Sequence, residues 1–193
     1  MGKVLVACEE SQTVCKAFRE VGHDAYSCDI QDSSGGHPEW HIKGDILNHL
    51  NGWDIIIAHP PCTYLCNSGV RWLYEQLGRW EKLGEAIDFF LKMLNAPCPC
   101  IAVENPVMHR YARERISPPS QYIQPYQFGE TVSKRTGLWL KNLPPLTPTL
   151  IIPKEKVEQK IWREPPSPNR SKIRSKTFKG VAEAMAEQWG KLV

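Results

Sequence analysis

Apolar residues along the chain fall alternately into short continuous runs and helix-spaced stripes, which predicts an α/β architecture. Val4-Leu5-Val6-Ala7 is apolar at every position, the pattern of a strand buried on both faces. From Thr13 to Glu20, Val14, Ala17 and Phe18 recur at helical spacing and continue to Val21, and Gly22 supplies a stop. Ala25-Tyr26-Ser27-Cys28 reads as a second strand that ends on Asp29. Strand, helix and strand in that order imply a parallel pair joined by a right-handed crossover.

A polar loop from Gln31 to His37 comes next, then Gly44-Asp45-Ile46-Leu47. Trp53-Asp54-Ile55-Ile56-Ile57-Ala58 is the clearest buried strand, and His59-Pro60-Pro61 ends it because proline cannot donate to a sheet ladder. The spacing of Leu83, Ile87, Phe90 and Leu94 predicts a helix from about Arg79 to Leu94. Cys100-Ile101-Ala102-Val103 is a fourth strand, ending on Glu104-Asn105-Pro106. Beyond residue 116 the segments are shorter and proline-rich, with a strand at Gly137-Leu138-Trp139-Leu140 and irregular chain from Pro144 to Pro168. A last helix is expected from Phe178 to Leu192, with Val181, Ala184, Met185 and Gln188 on one stripe.

The chain has 193 residues, 41% of them apolar, and seven Trp, six Tyr and five Phe to fill one core, so a single domain is expected across 1–193. No apolar run reaches the roughly 20 residues that span a bilayer, and Met1 to Val6 carries no signal-like segment. The expected location is the cytoplasm, with no membrane partner. Seven irregularly spaced cysteines suit reduced thiols better than a disulfide framework. The net charge of +3 is uneven: Lys141 to Lys179 holds ten Lys and Arg against three Glu, a local +7, which leaves the remainder at −4. That proline-rich basic stretch, 141–179, includes Arg170, Lys172 and Arg174, a density suited to a polyanion backbone or to a solvated loop.

Four predicted strand ends bear chemistry: Cys8-Glu9-Glu10, Asp29, His59-Pro60-Pro61-Cys62 and Glu104-Asn105. Open parallel sheets place ligands at that edge, and an acid ending the second strand is a common partner for ribose hydroxyls. The first loop lacks G-x-G-x-x-G, so a dinucleotide pyrophosphate site is not supported, whereas a nucleoside cofactor without pyrophosphate needs no such loop. Cys62 follows two stiff prolines, and a helix N-terminus after it would favour the thiolate; burial of Glu104 would keep that residue protonated as an acid. A cysteine is most often a small core residue, and the Pro-Pro and Glu-Asn context is what argues for more here.

These residues resemble the cytosine-C5 DNA methyltransferases, in particular small phage-type members, and the likeness runs in order across almost the whole chain. Pro60-Pro61-Cys62 is similar to the family's Pro-Cys loop, and Glu104-Asn105 to its Glu-Asn pair. Gly44-Asp45-Ile46 looks like the stretch beside the cofactor adenine, and Asp29 like the ribose-binding acid. Ser133-Lys134-Arg135 before Leu138-Trp139-Leu140 resembles the arginine-containing strand motif, and Ser175-Lys176-Thr177-Phe178 the final cofactor-contacting one.

The resemblance implies a Rossmann-like S-adenosylmethionine methyltransferase fold and action on DNA or another cytosine-containing nucleic acid or nucleotide. Cys62 would add to C6 of cytosine, Glu104 would protonate or hydrogen-bond N3, and C5 would take the methyl group, with Arg135 steadying the base or the thiolate. Cys8, Glu9, Asp29, Ile30, Asp45, Ile46, Pro60 and Thr177 would bind S-adenosylmethionine. Pro61, Asn105, Lys134, Arg170, Lys172 and Arg174 would meet the substrate, and no metal is expected. The chain departs from the family in three places: the first loop, Ala7 to Ser11, has no glycine; Pro106 follows Asn105; and residues 141–174 are too few for the usual target-recognition domain, which leaves action with little sequence preference, action on single strands, or recognition borrowed from a partner.

Other readings compete. His37-Pro38-Glu39 with Pro61-Cys62 and Cys66 echoes the H-x-E…P-C-x-x-C signature of zinc deaminases, but with three residues between the cysteines. Cys98-Pro99-Cys100 is read as packing, since C-x-C makes a poor zinc knuckle. His59-Pro60-Pro61-Cys62 also resembles the loop with which amino-group methyltransferases hold an exocyclic amine. A non-catalytic relative that only binds nucleic acid is the fourth reading.

Overall fold

A computed structural model of the chain describes residues 1–159, Pro165, Ser167 and 174–193. Seven strands form one sheet in the order β3-β2-β1-β4-β5-β7-β6. They are β1 (Lys3–Ala7), β2 (Asp24–Asp29), β3 (His41–Lys43), β4 (Ile55–Ala58), β5 (Cys100–Pro106), β6 (Gln121–Ile123) and β7 (Thr136–Lys141). The first five in space run parallel, and β7 lies antiparallel to both β5 and β6. This is the expected α/β class, a mostly parallel sheet flanked by helices.

The central strands are central because nothing in them requires water. Val4 to Ala7 and Ile55 to Ala58 are all fully buried, and their β-branched side chains suit a sheet covered on both faces. The strand expected from Trp53 begins at Ile55, because Asp54 spends its carboxylate on the Lys3 amide at 2.7 Å and Trp53 bonds the His49 carbonyl.

Helix α1 (Thr13–Glu20) buries Val14, Cys15, Ala17 and Phe18 on one face of the sheet, beside α5 (Lys179–Trp189) with Val181, Ala184, Met185 and Trp189. Helix α3 (Arg79–Leu94) covers the other face with Leu83, Ile87, Phe90 and Met93. Two one-turn helices, α2 (Trp72–Glu75) and α4 (Arg110–Arg113), follow the β4 and β5 ends. The last helix starts at Lys179, and Gly190–Leu192 continues it as a 3₁₀ turn. Gln188 leaves the buried stripe and pairs its side chain with the backbone of Thr147. Among the described residues, no helix is long and apolar enough to cross a membrane.

The start of α5 is seated by a close backbone approach. A Cβ on Gly180 would lie 1.8 Å from the Phe128 carbonyl oxygen, and the Gly180 amide donates to Glu130 at 3.2 Å. Gly180→Ala is therefore expected to cost about 1–3 kcal/mol. In a chain of this size that lowers the melting temperature by about 2–4 °C per kcal/mol, which a thermal scan reads directly. An unchanged melting point would show that α5 shifts freely, and with it the adjoining Thr177.

Candidate active site

The ends of β1, β2 and β4 and the loop after β3 open onto a cavity of about 520 Å³, walled on its far side by α3. Five of the residues expected at the cofactor, Cys8, Asp29, Ile30, Asp45 and Ile46, line it together with Cys28, Gln31, Gly44, Pro61, Tyr64, Lys82, Glu85, Ala86 and Phe89. The carboxylates are oriented by their own loops: Asp29 accepts from the Gln31 amide at 2.9 Å and Asp45 from the Leu47 amide at 3.0 Å. Ile30 remains 74% exposed on the rim, an apolar surface that a flat ligand ring would cover. The Cys8 thiol is pushed up to about 12 by burial, with Asp29, Cys28 and Asp45 adding to the shift. It therefore stays neutral, a wall of the cavity.

Cys8 (φ 59°) and Gln12 (φ 57°) adopt the left-handed backbone usually given to glycine, so the loop makes its tight turn without one. The fully buried Gln12 fixes the turn by donating to the His37 carbonyl at 2.7 Å and accepting from the His37 amide at 3.1 Å. Glu9 caps α1, accepting from the Val14 and Cys15 amides at 2.7 and 3.2 Å. Burial raises its pKa, against the opposing pull of His59 and these amides.

A second cavity of about 220 Å³ shares Cys8, Asp29, Gln31 and Pro61 with the first. Its other walls include Glu9, His59, Cys62, Thr63, Lys176 and Thr177. Thr177 also borders a narrow cleft that holds Glu104, Lys134 and Thr136. His59 stands between the two, its Nδ1 2.7 Å from Glu104 Oε2, with side chains only 9% and 11% exposed. His59 Nε2 is buried and makes no hydrogen bond to the described residues.

The expectation that burial keeps Glu104 protonated is corrected by its neighbours. Burial pushes its pKa up, but Lys134, the His59 hydrogen bond and charge, and Thr136 outweigh that and hold it below the ordinary value. Cys62 is likewise not at a helix N-terminus. It starts a single turn in which the Leu65 and Cys66 amides both donate to its carbonyl at 3.0 Å. That turn brings Cys66 back to the Cys62 thiol. Hydrogen bonding to Cys66, and then burial, raise the Cys62 pKa. The same bond from Cys62 leads the causes that lower Cys66 to about 5, against burial; Ser68, whose hydroxyl is 3.0 Å from the Cys66 sulfur, adds to it. When the pair ionises, the charge rests on Cys66, with Arg174 close enough to favour it.

Several expected site residues lie elsewhere. Arg135 points away, exposed, with its guanidinium 4.1 Å from the centre of the Tyr122 ring; Lys134 is the cation beside Glu104 and Cys62. Pro60 is buried, and Pro61 is the proline that walls both cavities. Asn105 is fully buried on the opposite side of β5 from Glu104, as strand alternation requires, and donates to the Pro106 carbonyl. Arg170 and Lys172 lie outside the described residues. His37 pairs with Glu39, stacks on Trp40 and lines a different cavity from Cys62, so the deaminase-like elements are not brought together.

No protein-family model and no curated protein matches the chain. Solved structures do. A protein described as a DNA modification methyltransferase encoded within a prophage (E. coli) aligns with a TM-score of 0.50 at 14% identity. It covers 78% of this chain and 52% of its own length. The Entamoeba histolytica methyltransferase EhMeth gives 0.50 at 13% identity, over 78% of this chain and 57% of its own. This chain thus spans about half the length of the structures it matches, and at these identities the likeness is one of fold. The fold is that of these methyltransferases.

Proposed function

We propose that the chain is an S-adenosylmethionine-dependent DNA methyltransferase acting at C5 of cytosine. The observation that carries the reading is the meeting of Cys62, His59 and Glu104 at the neighbouring ends of β4 and β5, one wall away from the cavity of Asp29 and Asp45. That cavity fits the cofactor in size and donor set: about 520 Å³ is within the usual range for such ligands, with Asp29, Asp45 and Glu85 as carboxylates for hydroxyl and amino groups and Ile30, Ile46 and Phe89 for a purine. S-adenosylmethionine bound there would supply an electrophilic methyl group.

The chain's own residues prepare the pyrimidine. The resting pair keeps its proton on Cys62 and its charge on Cys66, so that proton passes to the Cys66 sulfur only as the Cys62 sulfur bonds to C6 of the ring. Negative charge then builds at N3, and Glu104, ionised at rest, delivers there a proton relayed through His59, which gives one up at Nδ1 and takes one from solvent at Nε2. Lys134 holds positive charge beside both groups. Once C5 is substituted, its proton passes to solvent, the Cys62 thiolate is expelled and takes its proton back from Cys66, and N3 returns its proton to Glu104, restoring the ring. In the amino-group alternative His59 would hold an exocyclic amine through Nε2, since its Nδ1 is committed to Glu104, and Cys62 would have no covalent role.

The product decides the matter. DNA incubated with the protein and labelled S-adenosylmethionine is expected to yield 5-methylcytosine in a nucleoside digest read by mass spectrometry. Label in N4-methylcytosine or N6-methyladenine would overturn the C5 assignment, and no incorporation into any nucleic acid would overturn the methyltransferase reading.

A further inference from the structure

Beyond the Cys62 turn, the chain exposes side chains that a soluble surface usually hides. Tyr74 on α2 is 68% exposed and Trp80 at the start of α3 is 45% exposed. With Tyr111 on α4 they form a ring cluster: Trp80 lies 5.0 Å from Tyr111 at 73° and 5.8 Å from Tyr74 at 87°. The hydroxyls of Tyr74 and Tyr111 hydrogen-bond each other. Rings meeting edge to face do not cover one another as a stacked pair would, so aromatic face remains available to a ligand.

Cations are interleaved with these rings. Arg110 sits 4.5 Å from the Tyr111 centroid, and Arg79 4.2 Å from that of Tyr64. Residues 71–82 carry three cations against two acids and residues 110–115 three against one, a local excess of +3. The cluster is also tied to the active-site loop. His109 Nε2 lies 2.9 Å from the Tyr64 carbonyl, and its amide donates to the Leu65 carbonyl, joining α4 to the turn that presents Cys62.

We infer that this surface is a stacking platform for unpaired bases, and that single-stranded nucleic acid is what it takes. Flat aromatic faces flanked by guanidinium groups suit bases and phosphates together. Paired bases in a duplex hide their faces, so a platform of this kind discriminates for the single strand, or for the unpaired stretch around an extruded base. The inference rests on the reading of the neighbouring site as one that takes a nucleic-acid base, and it adds the strand form and the place of contact. Stacking is tolerant of base identity, so the platform would hold the strand without reading its sequence.

The test uses the full chain without cofactor and a labelled oligonucleotide, single-stranded or annealed to its complement, followed by fluorescence anisotropy at one stated ionic strength. The single strand is expected to bind at least about tenfold more tightly than the duplex. Trp80→Leu keeps the apolar cover but removes the flat ring, and Tyr74→Ser alters a mostly exposed position, so both variants should stay folded by thermal melt. Each is expected to weaken single-strand binding about tenfold while leaving the duplex unchanged, and Trp80→Phe and Tyr74→Phe should restore it. Equal affinity for both strand forms, unaltered binding by the ring-less variants, or no oligonucleotide binding at low salt would overturn the inference. Single-strand binding without methyl transfer would sink the catalytic reading alone; methylation of duplex DNA with the platform variants unimpaired would sink the platform alone.

Discussion

Cys62→Ser is expected to lower methyl transfer to cytosine-containing DNA by about 10⁴-fold or more, the scale on which enzymes lose rate when their nucleophile is removed. A serine hydroxyl is a far weaker acid than a thiol, and the sulfur of Cys66 is too weak a base to ionise it. The substitution changes one atom, so the turn from Cys62 to Cys66, held by two backbone hydrogen bonds, should persist. Cofactor binding should persist too, because Cys62 lines the smaller cavity and not the one formed by Asp29, Asp45 and Phe89. The paired measurement is therefore transfer of labelled methyl alongside calorimetric binding of S-adenosylmethionine. Full activity in the serine variant would remove the thiol from the mechanism and move attention to His59.

Glu104→Gln is expected to lower single-turnover transfer by about 10²–10⁴-fold, the usual contribution of a positioned acid or base. The amide keeps the shape and a hydrogen bond to His59, but it can neither carry a proton to N3 nor balance the charge of Lys134. The same change should alter stability against pH. The folded protein holds the Glu104 pKa below its ordinary value, so its contribution is present above the unfolded pKa and is lost as pH falls through the folded one. The glutamine variant should therefore be less stable than the parent at neutral pH, with the difference shrinking in acid. Transfer within a few-fold of the parent would show that N3 is served by another group.

Much of this arrangement is legible from apolar pattern, for a physical reason. Strands buried on both faces, such as Val4–Ala7 and Ile55–Ala58, must be continuously apolar, and a parallel sheet then places the polar residues after them along one edge. Asp29 and Cys62 are legible that way, whereas Asp45 is marked only by the likeness of Gly44-Asp45-Ile46 to a family motif. β3 and β6 are three-residue strands at the sheet's margins, too short to carry a period. Lys134 and Arg135 differ by one position, and along extended chain that step turns a side chain from one face to the other. Which of the two entered the site depended on where β7 began, at Thr136. Pro60 and Pro61 pose the same ambiguity. Phe89 and Ala86 lie beside the buried stripe of α3, and only the seating of that helix shows that they wall a cavity. The Cys62–Cys66 pairing was hidden because a lone turn in irregular chain has no apolar rhythm to announce it.

The two cavities have a common partition, Cys8, Asp29, Gln31 and Pro61, and that has a thermodynamic consequence. A molecule settling on one side acts on residues the other side also uses, so their occupancies are linked. Linkage is reciprocal: whatever factor the first occupant applies to the second's affinity, the second applies to the first. The order in which they arrive then changes the route and not the final equilibrium, and a mutation in the partition should alter both affinities together.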